Sequence, residues 1–419
     1  VLGLIASAAF AQSYATNGDS QLAGLVAEAL RAHPAVEESL ARYRAALQRI
    51  PQITSLPEPE LSFEHSIRAP DSPMGDRETT VMITQAIPWF GKLDEAGKVA
   101  AREADVERQR LETAKAEIVL RVKQAYYQIA YVDRALAVAE QDLGLLEHFE
   151  RLAQARYSQG VGLQQAPVKL QSEITRDRNQ LYMLRQQRVD AEVALNALLN
   201  RPPDTPIPPV TFARPQAAAV DPAALYEKAR RDRPELKASF LDIEKNEKRI
   251  HAARKEFWPD LTVGAGFMTI PGRAARDLMP AMEDTKAATF SFGIELPIRR
   301  RKYNAAVLEA TEEFIAARQQ YRREENDVAA MIRSLAFRLQ TLAQQAELFE
   351  RVLIPQADQA LRSTEAAYST GSLGVLELLD SERMLLEVRL GLANLEADYM
   401  KALAEMERAI GSPFPEEKP

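Results

Sequence analysis

The sequence predicts a mainly α-helical protein with a small β part, built as a duplicated strand–strand–long-helical-hairpin unit. Three observations carry this prediction. The chain repeats itself: Leu25–Pro34 returns as Leu225–Pro234, Ile87-Pro88 as Leu296-Pro297, Ala155–Gly160 as Ala366–Gly371 and Arg201-Pro202 as Ser412-Pro413, at offsets of 200, 209, 211 and 211. A period of half the chain exceeds any solenoid repeat and marks a duplicated supersecondary unit. Upstream of each long helix lie two short period-two segments, and the helix itself shows heptad-like apolar spacing.

Composition sets outer bounds. The chain has 419 residues, 46% hydrophobic and 27% charged, with formal charge −7. The slightly acidic balance points away from nucleic acid. Cysteine is absent, which excludes disulfides and thiolate metal sites. Val1–Phe10 is apolar and small, and Ala9-Phe10-Ala11 before Gln12 fits a small-x-small cleavage site, so residues 1–11 read as a truncated secretory signal. No other stretch approaches ~18 apolar residues, so no transmembrane helix is expected.

The first strand pair alternates Leu61, Phe63, His65 and Ile67 with Ser62, Glu64, Ser66 and Arg68, then Val81, Ile83, Gln85 and Ile87 with Met82, Thr84 and Ala86. The second alternates Leu261, Val263, Ala265 and Phe267 with Thr262, Gly264 and Gly266, then Phe290, Phe292, Ile294 and Leu296 with Thr289, Ser291, Gly293 and Glu295. Each segment is about ten residues, the length of a tilted membrane-crossing strand. A soluble sheet shows the same alternation, so the aromatics matter. Trp89-Phe90 ends the second strand and Phe257-Trp258 starts the third, which puts both tryptophans at one edge, as in a membrane-interface girdle. Four strands cannot close a barrel, and lipid forbids an open edge. A ring of three chains would supply twelve strands. The longer second connection, Pro271–Lys286 against Ala69–Glu78, is the variation an outer loop tolerates.

Helical periodicity follows each pair. Leu111, Ala114, Ile118, Val122, Ala125, Ile129, Val132, Leu136, Ala139, Leu143 and Leu146 form a seam in a helix running from Leu93 to Tyr157. Gly160 and Gly162 break it, and a return helix runs from Pro167 to Leu199. The second seam runs from Val307 to Leu353; Pro355 should kink the helix, Gly371 and Gly374 mark the turn, and Val375–Ile410 returns. A structural coiled-coil or periplasmic adaptor protein with a small sheet is the alternative of another class.

Duplication, paired strands before each hairpin and a Tyr-x-x-Gly tip in each half (Tyr157–Gly160 and Tyr368–Gly371) resemble the TolC-like outer-membrane efflux factor family over nearly the whole mature chain. Gln85–Leu93 further resembles the heavy-metal, CusC/CzcC-like branch. The resemblance implies a homotrimer whose 12-stranded outer-membrane β-barrel continues into a periplasmic α-barrel. It divides the chain into N-terminal equatorial helices (12–56), the first β-barrel hairpin (57–90), the first α-barrel hairpin (91–200), a Pro-rich linker with equatorial helices (201–256), the second β-barrel hairpin (257–298), the second α-barrel hairpin (299–411) and a tail (412–419). It implies a non-enzymatic exit duct in the outer membrane of a Gram-negative bacterium, in contact with lipid. Its partners would be a periplasmic adaptor and an inner-membrane pump of RND type. A duct for type I protein secretion competes with small-substrate efflux.

The resemblance also assigns residues. The helical tips would meet the adaptor through Tyr157, Gly160, Val161, Gly162, Leu163, Gly371, Leu373 and Gly374. Glu377 and Asp380 match the acidic aperture positions, with Tyr368 beside them. Three copies would ring the opening with carboxylates that concentrate cations. The first-half equivalents are Ala166 and Lys169, so acidity is confined to one hairpin. The family pattern has a basic residue where Leu373 stands; Lys169, paired with Glu377 or Asp380, is expected to stand in for it. Arg299-Arg300-Arg301-Lys302 opposes the dipole at a helix start, which lipid phosphates at the barrel rim would offset.

Chemistry is otherwise unsupported. His33, His65, His148 and His251 fall in separate segments, and the one close methionine pair is Met279 and Met282 in a loop, so no metal site and no cofactor are expected. Gly264-Ala265-Gly266 lacks a phosphate-loop continuation.

Overall fold

The register of the four strands orders the rest of the architecture. The computed structural model describes residues 20–65, 79–211, 221–270 and 285–414. The leader over 1–11, Ser66, Ile67 and Arg68 of the first strand pattern, the Ala69–Glu78 connection, residues 271–284 and the Met279/Met282 pair lie outside the described residues. In chain order the elements are α1 (Ser20–Ala32), α2 (Pro34–Thr54), β1 (Glu60–His65), β2 (Thr79–Ile87), α3 (Lys92–Ser158), α4 (Gln165–Leu198), α5 (Pro222–Asp232), α6 (Pro234–Lys255), β3 (Asp260–Ile270), β4 (Thr285–Glu295), α7 (Arg300–Leu348), a π-helical turn (Phe349–Leu353), α8 (Ile354–Thr370) and α9 (Val375–Ile410). Two compact units share these elements: one holds the described residues of 1–40, 110–237 and 323–419, the other those of 41–109 and 238–322.

In the second unit the strands form one antiparallel sheet in the order β1-β2-β3-β4. Leu61 pairs with Ile83, Ile83 with Ala265 and Ala265 with Phe290, while Phe63 pairs with Val81 and Val81 with Phe267. Since strand partners share a face, the apolar sets of all four strands fall on one side. Ser62, Met82, Gly266 and Thr289 form a matching row on the other, which is polar or small. The apolar face is bare: Leu61, Phe63, Phe267 and Phe290 are 71–84% exposed. Leaving such side chains in water forgoes roughly 1.5–3 kcal/mol each. Among the described residues β1 and β4 each have one edge with no partner strand.

The strand-to-helix junction is tightly held. Gly91 takes φ +86°, which favours glycine, and Lys92 N donates to Trp89 O at 3.0 Å. Trp89 N donates to Asp260 Oδ1 at 2.8 Å, and the buried Lys92 ammonium meets Asp260 at 2.9 Å and Glu256 at 3.4 Å. The head of α3 is favourable too, with Asp94 and Glu95 in the first turn and Arg156 in the last.

In the first unit the hairpins α3–α4 and α8–α9 share a core. Leu146, Phe149 and Ala153 of α3 pack with Leu170 and Ile174 of α4, Leu361 and Tyr368 of α8, and Leu378 and Leu385 of α9. The buried face of α3 is broader than one heptad seam. Lys123, Tyr126 and Tyr127 are buried, whereas the seam residues Ala114, Ala125, Leu136 and Leu143 are only half-buried. The kink expected at Pro355 takes the form of the π-helical turn immediately before it. Proline supplies no N–H to the carbonyl four residues back and its ring crowds that oxygen, so the turn widens there. The Phe349 ring then reaches Gly391 of α9, where a Cβ would sit 2.7 Å from it.

Each hairpin is tied back to the short helices before it. Arg201, after α4, forms a bidentate pair with Glu28 of α1. At the equivalent point after α9, Lys228 of α5 donates to Pro413 O at 2.7 Å. A buried ion pair joins the two halves, Lys123 Nζ to Glu407 Oε2 at 2.5 Å, with side chains 1% and 2% exposed. Burial pushes the Glu407 carboxyl up and Lys123 pulls it back. Lys123→Met would leave Glu407 buried opposite methyls, an expected loss of about 3–5 kcal/mol. The melting temperature of the detergent-solubilised protein should fall sharply in Lys123→Met and largely recover in the Lys123→Met/Glu407→Leu double variant.

Candidate functional site

The two hairpin tips are built alike. Gly160 (φ +76°) and Gly371 (φ +83°) take the left-handed turn that ends each outgoing helix. Gly160 N donates to Tyr157 O at 3.0 Å, and Gly371 N to Tyr368 O at 3.1 Å. Val161 N and Gly162 N then donate to Arg156 O, as Ser372 N and Leu373 N do to Ala367 O. So Gly162 and Leu373 occupy the same station, as do Leu163 and Gly374.

Side chains break the equivalence. Tyr157 is exposed, whereas Tyr368 is buried in the shared core at 5%. The Arg156 guanidinium lies 5.0 Å from the Tyr368 ring centroid and close against Gly371, where a Cβ would stand 2.7 Å from Nη2. Burial raises the Tyr368 hydroxyl pKa and Arg156 opposes that rise. Arg156 therefore joins the first tip to the second, and sequence reasoning missed it. Its signal was its place beside Tyr157 in the first Tyr-x-x-Gly, where the second half has Ala367.

The tips enclose a cleft of about 450 Å³ lined by Arg156, Leu163, Lys169, Tyr368, Leu373 and Glu377 among others. Val161 and Leu163 are 65% and 68% exposed and Leu373 is 40%. Glu377 and Asp380 are both exposed, whereas Ala166 is buried in the core and Lys169 half-buried. The expected stand-in pairing is not formed: among the described residues no ion pair joins Lys169 to Glu377 or Asp380 in the protomer. Asp380 instead faces Arg383, one turn along α9, at 4.0 Å. Arg383 itself binds Glu173 of α4.

In the other unit, Trp89 and Trp258 stack with centroids 5.4 Å apart and planes at 9°. Phe90 stands 77% exposed beside them, and Phe257 packs on Tyr303 at 5.7 Å. Among the described residues no group of His, Asp or Glu has metal-holding geometry, and no helix is long and apolar enough to cross a membrane.

Residues 25–201 and 225–412 match the family described as Outer membrane efflux protein, one block per repeat. The chain belongs to that family. It is a non-enzymatic channel of the Gram-negative outer membrane, and membership implies a trimer within a tripartite efflux system. The chain is 24% identical over 342 residues to the pyoverdine export outer membrane protein OpmQ of Pseudomonas putida, covering 80% of this chain and 70% of that one. It is 23% identical over 406 residues to the cation efflux system protein CusC of Escherichia coli, covering 93% and 85%. Among solved structures, the outer membrane protein VceC of Vibrio cholerae superposes with a TM-score of 0.78 at 19% identity, over 96% of this chain and 98% of that one. Relatives named for different exports match at similar identity, so the heavy-metal branch is not singled out.

Gly371→Val would meet both the positive φ and the Arg156 guanidinium, a cost of roughly 1–3 kcal/mol. It is expected to lower the melting temperature more than Gly160→Val, where the space around a Cβ is open.

Proposed function

We propose that this chain forms the exit duct of a tripartite efflux system, and that its tips act as a cation-favouring aperture held closed through Arg156. The observation that carries the reading is the asymmetry of the two tips. Their backbones coincide, but one carries the exposed carboxylates Glu377 and Asp380 and the other supplies the guanidinium that packs on Tyr368. Three copies would place six carboxylates around one opening, a ring that raises local cation concentration. Cargo selection of this kind needs no coordination site. It suits small cations, divalent metals included, better than a secreted polypeptide, which the type I alternative would require.

Exposed Val161, Leu163 and Leu373 around the two glycine turns supply an apolar contact for the periplasmic adaptor, with an RND-type pump beneath it. Trp89, Phe90, Phe257 and Trp258 serve as the aromatic belt of the barrel rim on the side where strands pass into helices. Arg299, Arg300, Arg301 and Lys302 stand beside that belt with no acidic residue in the first turn of α7, and lipid phosphates would offset the opposed dipole.

In planar bilayers under a salt gradient, Glu377→Gln/Asp380→Asn should move the reversal potential toward zero; an unchanged potential would exclude the aperture role. Arg156→Ala should raise the conductance of the closed channel, because Tyr368 loses its partner on the opposite tip. Deleting the gene should sensitise the host to metal salts or cationic dyes, and the Glu377→Gln/Asp380→Asn chain should restore less resistance than wild type.

A further inference from the structure

Three acidic residues stand where the hairpin core calls for apolar side chains. On α3 the inward series is Ala135, Ala139, Asp142, Leu146 and Phe149; on α4 it is Ile174, Asp177, Leu181 and Leu184; on α9 it is Leu378, Glu382 and Leu385. On α3 and α4 Asp142 and Asp177 thus fall between the apolar cluster of Leu146, Leu170 and Leu378 and that of Ala139, Leu181 and Leu184, and on α9 Glu382 falls between Leu378 and Leu385 of the first. Asp142 is 7% and Glu382 2% exposed. Asp142 Oδ2 and Asp177 Oδ2 are shut from solvent without a hydrogen-bond partner. No ion pair to the three is present among the described residues.

Their charged neighbours are engaged elsewhere. Arg176 and Arg383 both bind Glu173. Arg389 reaches Asp358 of α8 at 4.0 Å and opposes the layer's charge only from a distance. Asp142 interacts with Asp177 on one side and Glu382 on the other, so the three carboxyls stand in series. Burial first and Glu382 second push Asp142 up to about 8, against a smaller lowering by Asp177, while burial first and Asp142 second push Asp177 up to about 7. Burial raises Glu382 as well. With no metal-holding geometry at the layer, the ligand that fits it is the proton.

We propose that the Asp142–Asp177–Glu382 layer is a proton-operated latch between the two hairpins, closed when protonated and loosened as periplasmic pH rises. Protonated, Asp177 donates to Asp142 and Asp142 donates to Glu382, bonding α4, α3 and α9 in one chain. Deprotonated, the three place like charges side by side, with Asp142 and Glu382 buried and Asp177 half-buried. The sign follows from proton binding. The closed state holds protons that separated, solvated carboxyls release near pH 4, so closure weakens from there up to about pH 8 and then levels off. The same three helices carry Arg156, Lys169 and Glu377, so loosening the layer reaches the tips. The latch concerns packing within one chain, so its failure would leave the duct reading standing.

The absence of cysteine makes a clean test available. Spin labels on Tyr182→Cys of α4 and Met384→Cys of α9, both exposed, report the hairpin separation in trimers diluted with unlabelled chain. The short-distance population should fall between about pH 5.5 and pH 8.5 in the wild-type background. Asp142→Asn should keep that population at both values, since its uncharged amide NH2 carries two N–H groups that can donate to the Glu382 and Asp177 carboxylates. A purely structural role predicts a loosened hairpin at every pH instead. A wild-type distribution that does not move with pH, or an Asp142→Asn variant that moves as the wild type does, overturns the latch. Should Asp142→Asn not assemble, Glu382→Gln should shrink the pH response, leaving only the Asp142–Asp177 pair to titrate, and a response as large as that of the wild type overturns the latch.

Discussion

Everything else in this protein follows from a sheet that one chain cannot complete. Among the described residues its outer strands β1 and β4 each have one edge with no partner strand, and its apolar face carries phenylalanines that stay largely exposed. In water either defect invites aggregation. Lipid relieves the face but makes the edges costlier, because no water remains to satisfy them. The one arrangement that resolves both is a closed ring of identical sheets with the apolar face outward, which the trimeric channel fold of the family supplies. The small residues of the opposite face, Gly264 and Gly266, suit that geometry. A Cβ at Gly264 would stand 2.4 Å from Ser291 Oγ and one at Gly266 2.4 Å from Val81 O, so the sheet has room there only for hydrogen.

Closure of the sheet fixes where the helices begin, and the junction is correspondingly rigid. Asp260 accepts from Trp89 N and from Lys92, so the first residues of β3 hold the entry of α3 even though more than 160 residues separate them in sequence. The junction links the two copies of the repeat through the β2–β3 pair, just as Lys123 and Glu407 link them among the helices. Both links are charged and made between halves, and the Lys123–Glu407 pair is fully buried while Lys92 is buried against a part-exposed Asp260. A buried pair contributes little net stability but penalises mispairing heavily. In a duplicated chain, whose two halves could otherwise exchange partners, that penalty distinguishes the first hairpin from the second.

Period and punctuation made the elements legible. Alternation placed the apolar face of all four strands, and the glycines at 160 and 371 placed both tips, because these features depend on local geometry alone. What stayed hidden depends on which face of one helix meets another. The heptad reading gave Leu136 and Leu143 the same standing as Leu146, yet only Leu146 is fully buried. Lys169 was a reasonable counter-charge by offset, but Arg156, thirteen residues earlier on the other side of the turn, is the residue that reaches the second tip. Proximity between hairpins cannot be read from spacing within one.

The buried acids show the same limit and also what the duplication permits. By the 211-residue offset, Asp142 answers to Leu353, Asp177 to Val388 and Glu382 to Gln171. No position of the layer is acidic in both halves, so the layer was not inherited with the repeat and is not duplicated within the protomer. Two acids come from the first hairpin and the third from the second, and only their packing brings them together. The tip follows the same pattern, with carboxylates on one hairpin and the guanidinium on the other. A wall needs its copies alike, and the strands and helices are. A gate needs two surfaces that differ and meet, which a duplicated chain obtains by letting the copies diverge at the few positions where they face each other.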